Sequence, residues 1–281
     1  MIRLGEHQTL TIKRMTSVGA YLSFKEEDDD VLLPKKYLNP NSQIGNEIDV
    51  FIYKDHEQRL IATTLKPKIT LNSFALLTVK SVSPIGVFLD WGLEKDLFLP
   101  FAEQKRKLNV GDKQMVYLYI DEKTNRLAAS AKLNKFLSKI PPAYPIGEEV
   151  AIIVFEATPL GYNVIVNNKY KGLVYHNECH TPLRYGQPLK GYIKQIREEG
   201  GIDISISALG VKRLADGTQT LLSKLTKSGG FLNLNDDSSP DEIAQKLNMS
   251  KKTFKRSLGI LYKQGQIEMI ENGIKLKNNN A

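Results

Sequence analysis

The sequence predicts a mainly β protein: three small β-barrels in tandem, followed by a small α+β winged-helix domain. Three observations predict it. A set of about five short strands recurs three times, with nearly equal intervals from Gly19 to Gly45, Gly86 to Gly111 and Gly161 to Gly186. Repeats of that kind read as small barrels in series. Apolar residues alternate with polar or aromatic ones inside each repeat, as in strands with two unlike faces. From Leu209 onward the apolar period changes from two to about 3.6, which is helical.

The second repeat, residues 67–133, shows the pattern most plainly. Pro84 and Gly86 mark a bend, and Val87 and Leu89 alternate with Phe88 and Asp90 along the strand that follows. Leu97 to Pro100 forms a second short strand. After Gly111-Asp112, Val116, Leu118 and Ile120 face one way, and Met115, Tyr117 and Tyr119 the other. Asp121 to Asn125 is a turn, and Arg126 to Ser130 the last strand. The first repeat, residues 1–66, has "SVGAYL", "VLLPKKY" and "IGNEIDVFIYKDHEQRLIATT" in the same order; the last aligns with "VGDKQMVYLYIDEKTNRLAAS" without a gap. Its acidic run, Glu26 to Asp30, reads as an exposed hairpin tip. A linker over 134–145 contains Pro141, Pro142 and Pro145, with one helical turn expected around Phe136, Leu137 and Ile140. The third repeat, 146–208, is weaker: "PLGYNVIV", "GLVYHNE" and "YGQPLKGYIKQIREEGGIDISIS".

Residues 209–281 read as helix, helix–turn–helix and hairpin. Leu214, Leu221, Leu222 and Leu225 mark a first helix that ends at Ser228-Gly229-Gly230. Ser239-Pro240-Asp241-Glu242 is a strong helix start, with a serine cap, proline in the first turn and acids behind it. Ser250 caps the next helix, whose buried stripe is Phe254, Leu258 and Leu261. Asn272-Gly273 is expected to turn the closing hairpin.

Of 281 residues, 39 are Lys or Arg and 31 Asp or Glu, a net charge of +8 that suits a polyanionic partner. One cysteine excludes an internal disulfide framework. The first residues lack a signal-peptide core and no segment is long enough to span a membrane, so a cytoplasmic location is the default. No phosphate loop, dinucleotide fingerprint or nucleophile elbow occurs. His176, Cys179 and His180 are metal-ligand types in one loop, but no second pair completes a zinc set. Neither metal, cofactor nor catalysis is expected.

Binding is better supported. Phe51 and Tyr53, then Tyr117 and Tyr119, then Tyr192 and Lys194 occupy matching positions opposite the core side of one strand in each repeat. Tyr21 and Phe88 add an aromatic on the neighbouring strand, with Tyr162 next to the third position. Exposed aromatics on a barrel face stack bases, each worth roughly 1–3 kcal/mol; the bland alternative is that they cover the joints between barrels. Lys54, Lys113, Arg126 and Lys194 are placed to meet phosphates.

These residues resemble a known domain. "GAYL" and "GVFL" resemble the G-A-F-V strand of the S1 RNA-binding domain, an OB-fold barrel. "LLP", "FLP" and "GLVYH" resemble its G-L-V-H segment, which brings Tyr175 and His176 into the candidate set. "IGNEIDVFIY" and "VGDKQMVYLY" resemble its G-x-x-V-x-V-K-V strand. The usual aromatic before the first glycine is here Val18, Ile85 or Leu160. The histidine becomes Pro34, Pro100 and Tyr175, and the strand lysine Phe51, Tyr117 and Tyr192. Three S1-like modules and a winged helix are together similar to the conserved virulence factor B family of bacterial RNA-binding regulators. That resemblance implies single-stranded RNA as partner and an effect on gene expression without catalysis. Lys251, Lys252, Lys255 and Arg256 would give the winged helix a basic surface for duplex nucleic acid or for a protein. The alternative is a DNA-binding transcription regulator whose winged helix reads a duplex and whose barrels are an interaction platform.

Overall fold

The computed structural model describes residues 1–24, 29–140, 143–179, 181–197 and 200–277, with only the helical path given for 208–215. Most of the acidic run from Glu26, the Pro141-Pro142 pair, His180 and the side chain of Leu214 therefore lie outside the described residues. Two compact units divide the chain, Met1–Leu137 and Ser138–Ala281.

The first unit holds two barrels. In the first, β1 (His7–Met15), β2 (Gly19–Ser23), β3 (Val31–Pro34), β4 (Glu47–Lys54) and β5 (Leu60–Thr63) close in the order β1-β2-β3-β5-β4. In the second, β6 (Phe74–Ser83), β7 (Gly86–Asp90), β8 (Leu97–Pro100), β9 (Lys113–Asp121) and β10 (Arg126–Ser130) run in the order β10-β9-β6-β7-β8. No backbone ladder joins β8 to β10 among the described residues. Side chains close the gap instead: Leu97 and Leu99 share one core with Ala129. Beyond the strand ends, the Ala131 N–H donates to the Glu103 carbonyl at 2.9 Å and the Ser130 hydroxyl donates to the Glu103 carboxylate.

The second unit holds the third barrel and the helical region. β11 (Glu149–Ala157), β12 (Gly161–Val166), β13 (Tyr170–Tyr175), β14 (Pro188–Ile196) and β15 (Ile202–Ser205) close in the order β11-β12-β13-β15-β14. Parallel pairing of Gly172 to Val174 with Ile202 to Ile204 makes the closure. α1 (Ala208–Lys227) leads to the short β16 (Phe231–Leu232), then α2 (Pro240–Leu247), α3 (Lys251–Lys263), β17 (Ile267–Ile270) and β18 (Gly273–Leu276).

Local chemistry explains the repeat. A Cβ on Gly19, Gly86 or Gly161 would sit 2.1, 2.5 or 2.1 Å from a carbonyl oxygen of the next strand, so the second strand of each barrel begins where only glycine fits. A β-bulge interrupts the first strand of every barrel at one place: between Ile12 and Arg14, Val79 and Ser81, and Val154 and Glu156. The extra residue shifts the alternation, so Arg14 leaves the core side that Leu10 and Ile12 keep. The ungapped alignment of the first two repeats does not survive in space. Phe51 pairs with Thr63 while Tyr117 pairs with Ser130, because the turn of the second repeat is one residue longer. Thr63, Ser130 and Ser205 are thus the equivalent strand ends, and each hydroxyl accepts the N–H two residues on, at 3.1, 3.1 and 3.2 Å.

The helical region follows its sequence signals closely. Ser239 and Glu242 form a reciprocal capping box, and the Ser250 hydroxyl accepts the Thr253 N–H at 3.2 Å. Leu221, Leu225, Ile243, Phe254, Leu258 and Leu261 share one core. Two points differ. β16 adds a third strand beside the hairpin. The hairpin turns on Glu271-Asn272, with Ile270 paired to Gly273. Gly273 is instead the place where β18 meets β16; a Cβ there would lie 2.2 Å from the Leu232 carbonyl oxygen.

Candidate nucleic-acid interface

The aromatic row expected on the solvent face is largely covered. Phe51 is fully buried and Tyr53 nearly so, because Trp91 from the second barrel packs edge-on against both, at 5.8 and 6.4 Å between ring centroids. Burial pushes the Tyr53 phenol far above its ordinary pKa. These two residues belong to the joint between the first two barrels and have no free ring face for a base. Tyr117 stacks on Phe136 at 4.0 Å, and its hydroxyl donates to Asn72 Oδ1 at 3.1 Å. Tyr119 leans on the same Phe136 at 5.6 Å, with the Lys135 ammonium 5.5 Å over its ring. Both phenols are raised by burial. The segment after β10 therefore covers the row in the second barrel; its one helical turn, a 3-10 turn over Leu133–Lys135, falls earlier than expected, and Phe136 closes that turn as a packing residue.

In the third barrel the candidates engage one another. Tyr162 is buried, edge-on to His176 at 4.9 Å, and the His176 Nε2–H donates to the Thr158 carbonyl at 2.9 Å. Lys194 pairs with Glu178 at 2.5 Å and lies 5.8 Å over the Tyr175 ring. Tyr192 donates to Glu149 at 3.3 Å. Burial alone would push the Glu178 carboxyl up; Lys194, the Ser205 hydroxyl and nearby Arg256 outweigh it and hold the group below the ordinary carboxylate range. The Cys179 thiol is pushed up by burial and donates to the Tyr175 carbonyl. Among the described residues no three His, Cys, Asp or Glu side chains converge as a metal set would require.

The strands beside each bulge differ in a way that singles out the second barrel. The paired residues there are Tyr21 and Leu32, Phe88 and Phe98, and Asn163 and Leu173. Tyr21 carries the Arg14 guanidinium at 3.6 Å over its ring. Asn163 is nearly buried and donates to Glu156 at 2.6 Å, which leaves a carboxylate where a base would stack. Among the described residues, these paired positions hold two aromatic rings only in the second barrel, 5.3 Å apart and tilted by 42°. Ile85 beside them is 66% exposed, and the Phe101 N–H donates to its carbonyl.

Three cations border that face. Arg126 is exposed at the start of β10. The Lys54 ammonium crosses from the first barrel to donate to the Asn125 carbonyl at 2.6 Å, and Lys95 crosses the other way to the Asp55 carbonyl at 2.6 Å. Burial pushes the Lys95 ammonium below its ordinary pKa, and Arg126 and Lys54 push it the same way. Lys113, by contrast, lies at the opposite end of β9, roughly 25 Å from Arg126 along the strand. Phe98, Lys95 and Arg14 were not singled out by the sequence. Phe98 had a signal, since it stands in "LFLP" at the position paired with Phe88; Lys95 had none, because its role depends on the neighbouring barrel.

On the winged helix, Lys252, Lys255 and Arg256 are exposed and Lys251 half-buried at the start of α3. Lys255 faces Asp236 at 3.9 Å, and Arg256 stands close enough to lower Glu178. The four cations are together, as expected, but two of them already face acids of the same chain.

Comparison with known proteins agrees with the first two barrels and the winged helix. The S1 domain model matches residues 4–65 and 73–132, and the model of the CvfB-like winged helix domain matches 219–276. Conserved virulence factor B of Staphylococcus saprophyticus is 30% identical over 256 residues, 87% of this chain and 85% of that protein. The chain belongs to the conserved virulence factor B family. Another relative, the uncharacterized protein YitL of Bacillus subtilis, is 27% identical over 97% of this chain and 93% of its own. A solved multidomain protein with nucleic acid binding domains from Streptococcus pneumoniae is 25% identical over 98% of both chains, with a TM-score of 0.41. The S1 and winged-helix domains matched in this chain are nucleic-acid-binding types and typically non-enzymatic. No described helix is long and apolar enough to cross a membrane.

Proposed function

We propose that this protein is a non-enzymatic RNA-binding regulator of bacterial gene expression, acting in the cytoplasm, that holds single-stranded RNA across the β7–β8 face of its second barrel. The observation that carries it is the Phe88–Phe98 pair, two half-exposed rings on neighbouring strands beside a cationic border. Every base has a π-face, so a stacking platform of this kind tolerates sequence while the cations follow the backbone. The first barrel supplies Tyr21 under Arg14 and part of the cationic border; the third has Glu156 at the equivalent place and is assigned no base. The winged helix adds an accessory basic surface at Lys251 and Lys252.

A Phe88→Ala, Phe98→Ala double variant tests it directly. Labelled single-stranded RNA is expected to bind the unaltered chain and to lose most of that affinity in the double variant, with the thermal transition kept. Unchanged affinity would remove the platform from the site. The transcription-regulator alternative has weaker support: beside α3 the hairpin mixes Glu268 and Glu271 with Lys275 and Lys277, whereas a duplex reader gains from a uniformly basic flank.

A further inference from the structure

A cavity of about 370 Å³ lies between the first two barrels, next to the β7–β8 face. Pockets that take one small organic ligand span about 300–1,000 Å³. Its aromatic lining comes from the half-exposed Phe88 and Phe98 and the nearly buried Trp91 and Tyr53, with His56 beside them, and its cations are Lys54, Lys95 and Arg126. Trp91 is the only tryptophan of the chain.

Both lysines are held in place. Each reaches across the joint to a backbone carbonyl of the other barrel at 2.6 Å, and an ammonium group has three N–H donors, so each keeps two for a ligand. The three positive groups, two of them half-buried and Arg126 exposed, repel one another: burial lowers the Lys95 ammonium most, Arg126 and Lys54 lower it further, and Asp55 offsets part of this. An anion between them relieves that repulsion. The two carboxylates that line the same cavity have hydrogen-bond partners of their own. Asp96 is paired with Lys80 at 2.9 Å, and Asp121 accepts the Lys123 N–H at 3.1 Å and the Thr124 hydroxyl at 2.9 Å.

Flat apolar walls and a fixed cluster of cations, in a space of this size, describe the two halves of a nucleotide. Resting on the RNA-binding reading of the neighbouring face, we infer that the joint between the first two barrels is a single-nucleotide pocket. The base packs against Phe88 and Phe98, over the small exposed part of Trp91 that lines the cavity, and the phosphate meets Lys54, Lys95 and Arg126. The platform would then end in a socket that takes one nucleotide out of the strand, built by two barrels and absent from either alone. A free nucleoside monophosphate carries the same chemistry.

Trp91 emission from the full chain is the readout, titrated with a single-stranded RNA octamer and separately with adenosine monophosphate, while anisotropy of a labelled octamer reports strand binding. The octamer is expected to change Trp91 emission at the concentrations that change anisotropy. Arg126→Gln should weaken both about tenfold, whereas Lys107→Gln, the same charge loss on an exposed loop of that barrel, should not. Adenosine monophosphate should reach the same emission change only at far higher concentration; saturation by it but not by the octamer would keep the pocket, assign it to free nucleotide, and overturn strand binding on this face. Octamer binding that leaves Trp91 emission unchanged and ignores Arg126→Gln would overturn the pocket while leaving RNA binding standing. Silence of both probes in both assays would overturn the two together.

Discussion

At the scale of single residues, what a ring does depends on what covers it. Tyr117 and Phe98 are both aromatics on outward-facing strand positions of one barrel, but Phe136 closes over Tyr117, while Phe98 has Phe88 as its ring partner and stays half-exposed. Tyr117→Ala is therefore expected to cost about 2–4 kcal/mol of stability, through the lost stack and hydrogen bond, and to leave RNA affinity unchanged. Phe98→Ala should do the reverse, losing on the order of 1–3 kcal/mol of affinity at nearly constant stability. Thermal unfolding and RNA titration of both variants check the pair; parallel effects in the two would contradict the division. Ser257 offers a third case. Its hydroxyl is buried in the α1–α3 contact and has no hydrogen-bond partner among the described residues. Ser257→Ala should raise stability by about 1 kcal/mol, since an unsatisfied buried hydroxyl costs roughly that much or more. A lower melting temperature would reveal a partner for it. The sequence could place Phe51, Tyr53, Tyr117 and Tyr119 opposite the core face, because alternation fixes the face. It could not place Trp91 or Phe136 over them, because those contacts are made from another element far along the chain.

At the scale of elements, local signals carried most of what was legible. Ser239-Pro240-Asp241-Glu242 specifies a helix start through bonds made within four residues, and the structure has that capping box. Ser239→Ala is expected to cost about 1 kcal/mol, measured by denaturant unfolding. The bulges were not legible, since Arg14 looks like one more alternating residue until its strand is paired. Nor was the longer turn of the second repeat, which only pairing of Tyr117 with Ser130 reveals. The bridge between the third barrel and its helices carries a pH signature. Glu178 has a lowered folded pKa despite its burial, so it contributes stability above the ordinary glutamate value of about 4.3 and loses it as pH falls through the lower folded value. Glu178→Gln should flatten the acid side of the stability–pH profile. An unchanged acid limb would show that Lys194 and Ser205 do not act through that carboxylate.

At the scale of the whole molecule, the proposed function gives three copies of one barrel different uses. The first lends Tyr21 and Lys54, the second holds the aromatic pair, and the third replaces the aromatic by Asn163 on Glu156. A net charge of +8 gives all of them some attraction for nucleic acid, so affinity by itself does not separate the uses. The salt slope does. If Lys251 and Lys252 contact phosphates, changing both to Ala should flatten the dependence of duplex binding on salt by up to about two units. An unchanged slope would mean that the winged helix contacts something other than phosphate. The most direct measurement is side-by-side binding of single-stranded RNA and duplex DNA of matched length across a salt series, for the unaltered chain and for Phe88→Ala, Phe98→Ala. The expected result is tighter binding of the single strand, lost in the double variant while the weaker duplex binding persists. Tighter binding of the duplex, unaffected by loss of both rings, would contradict it.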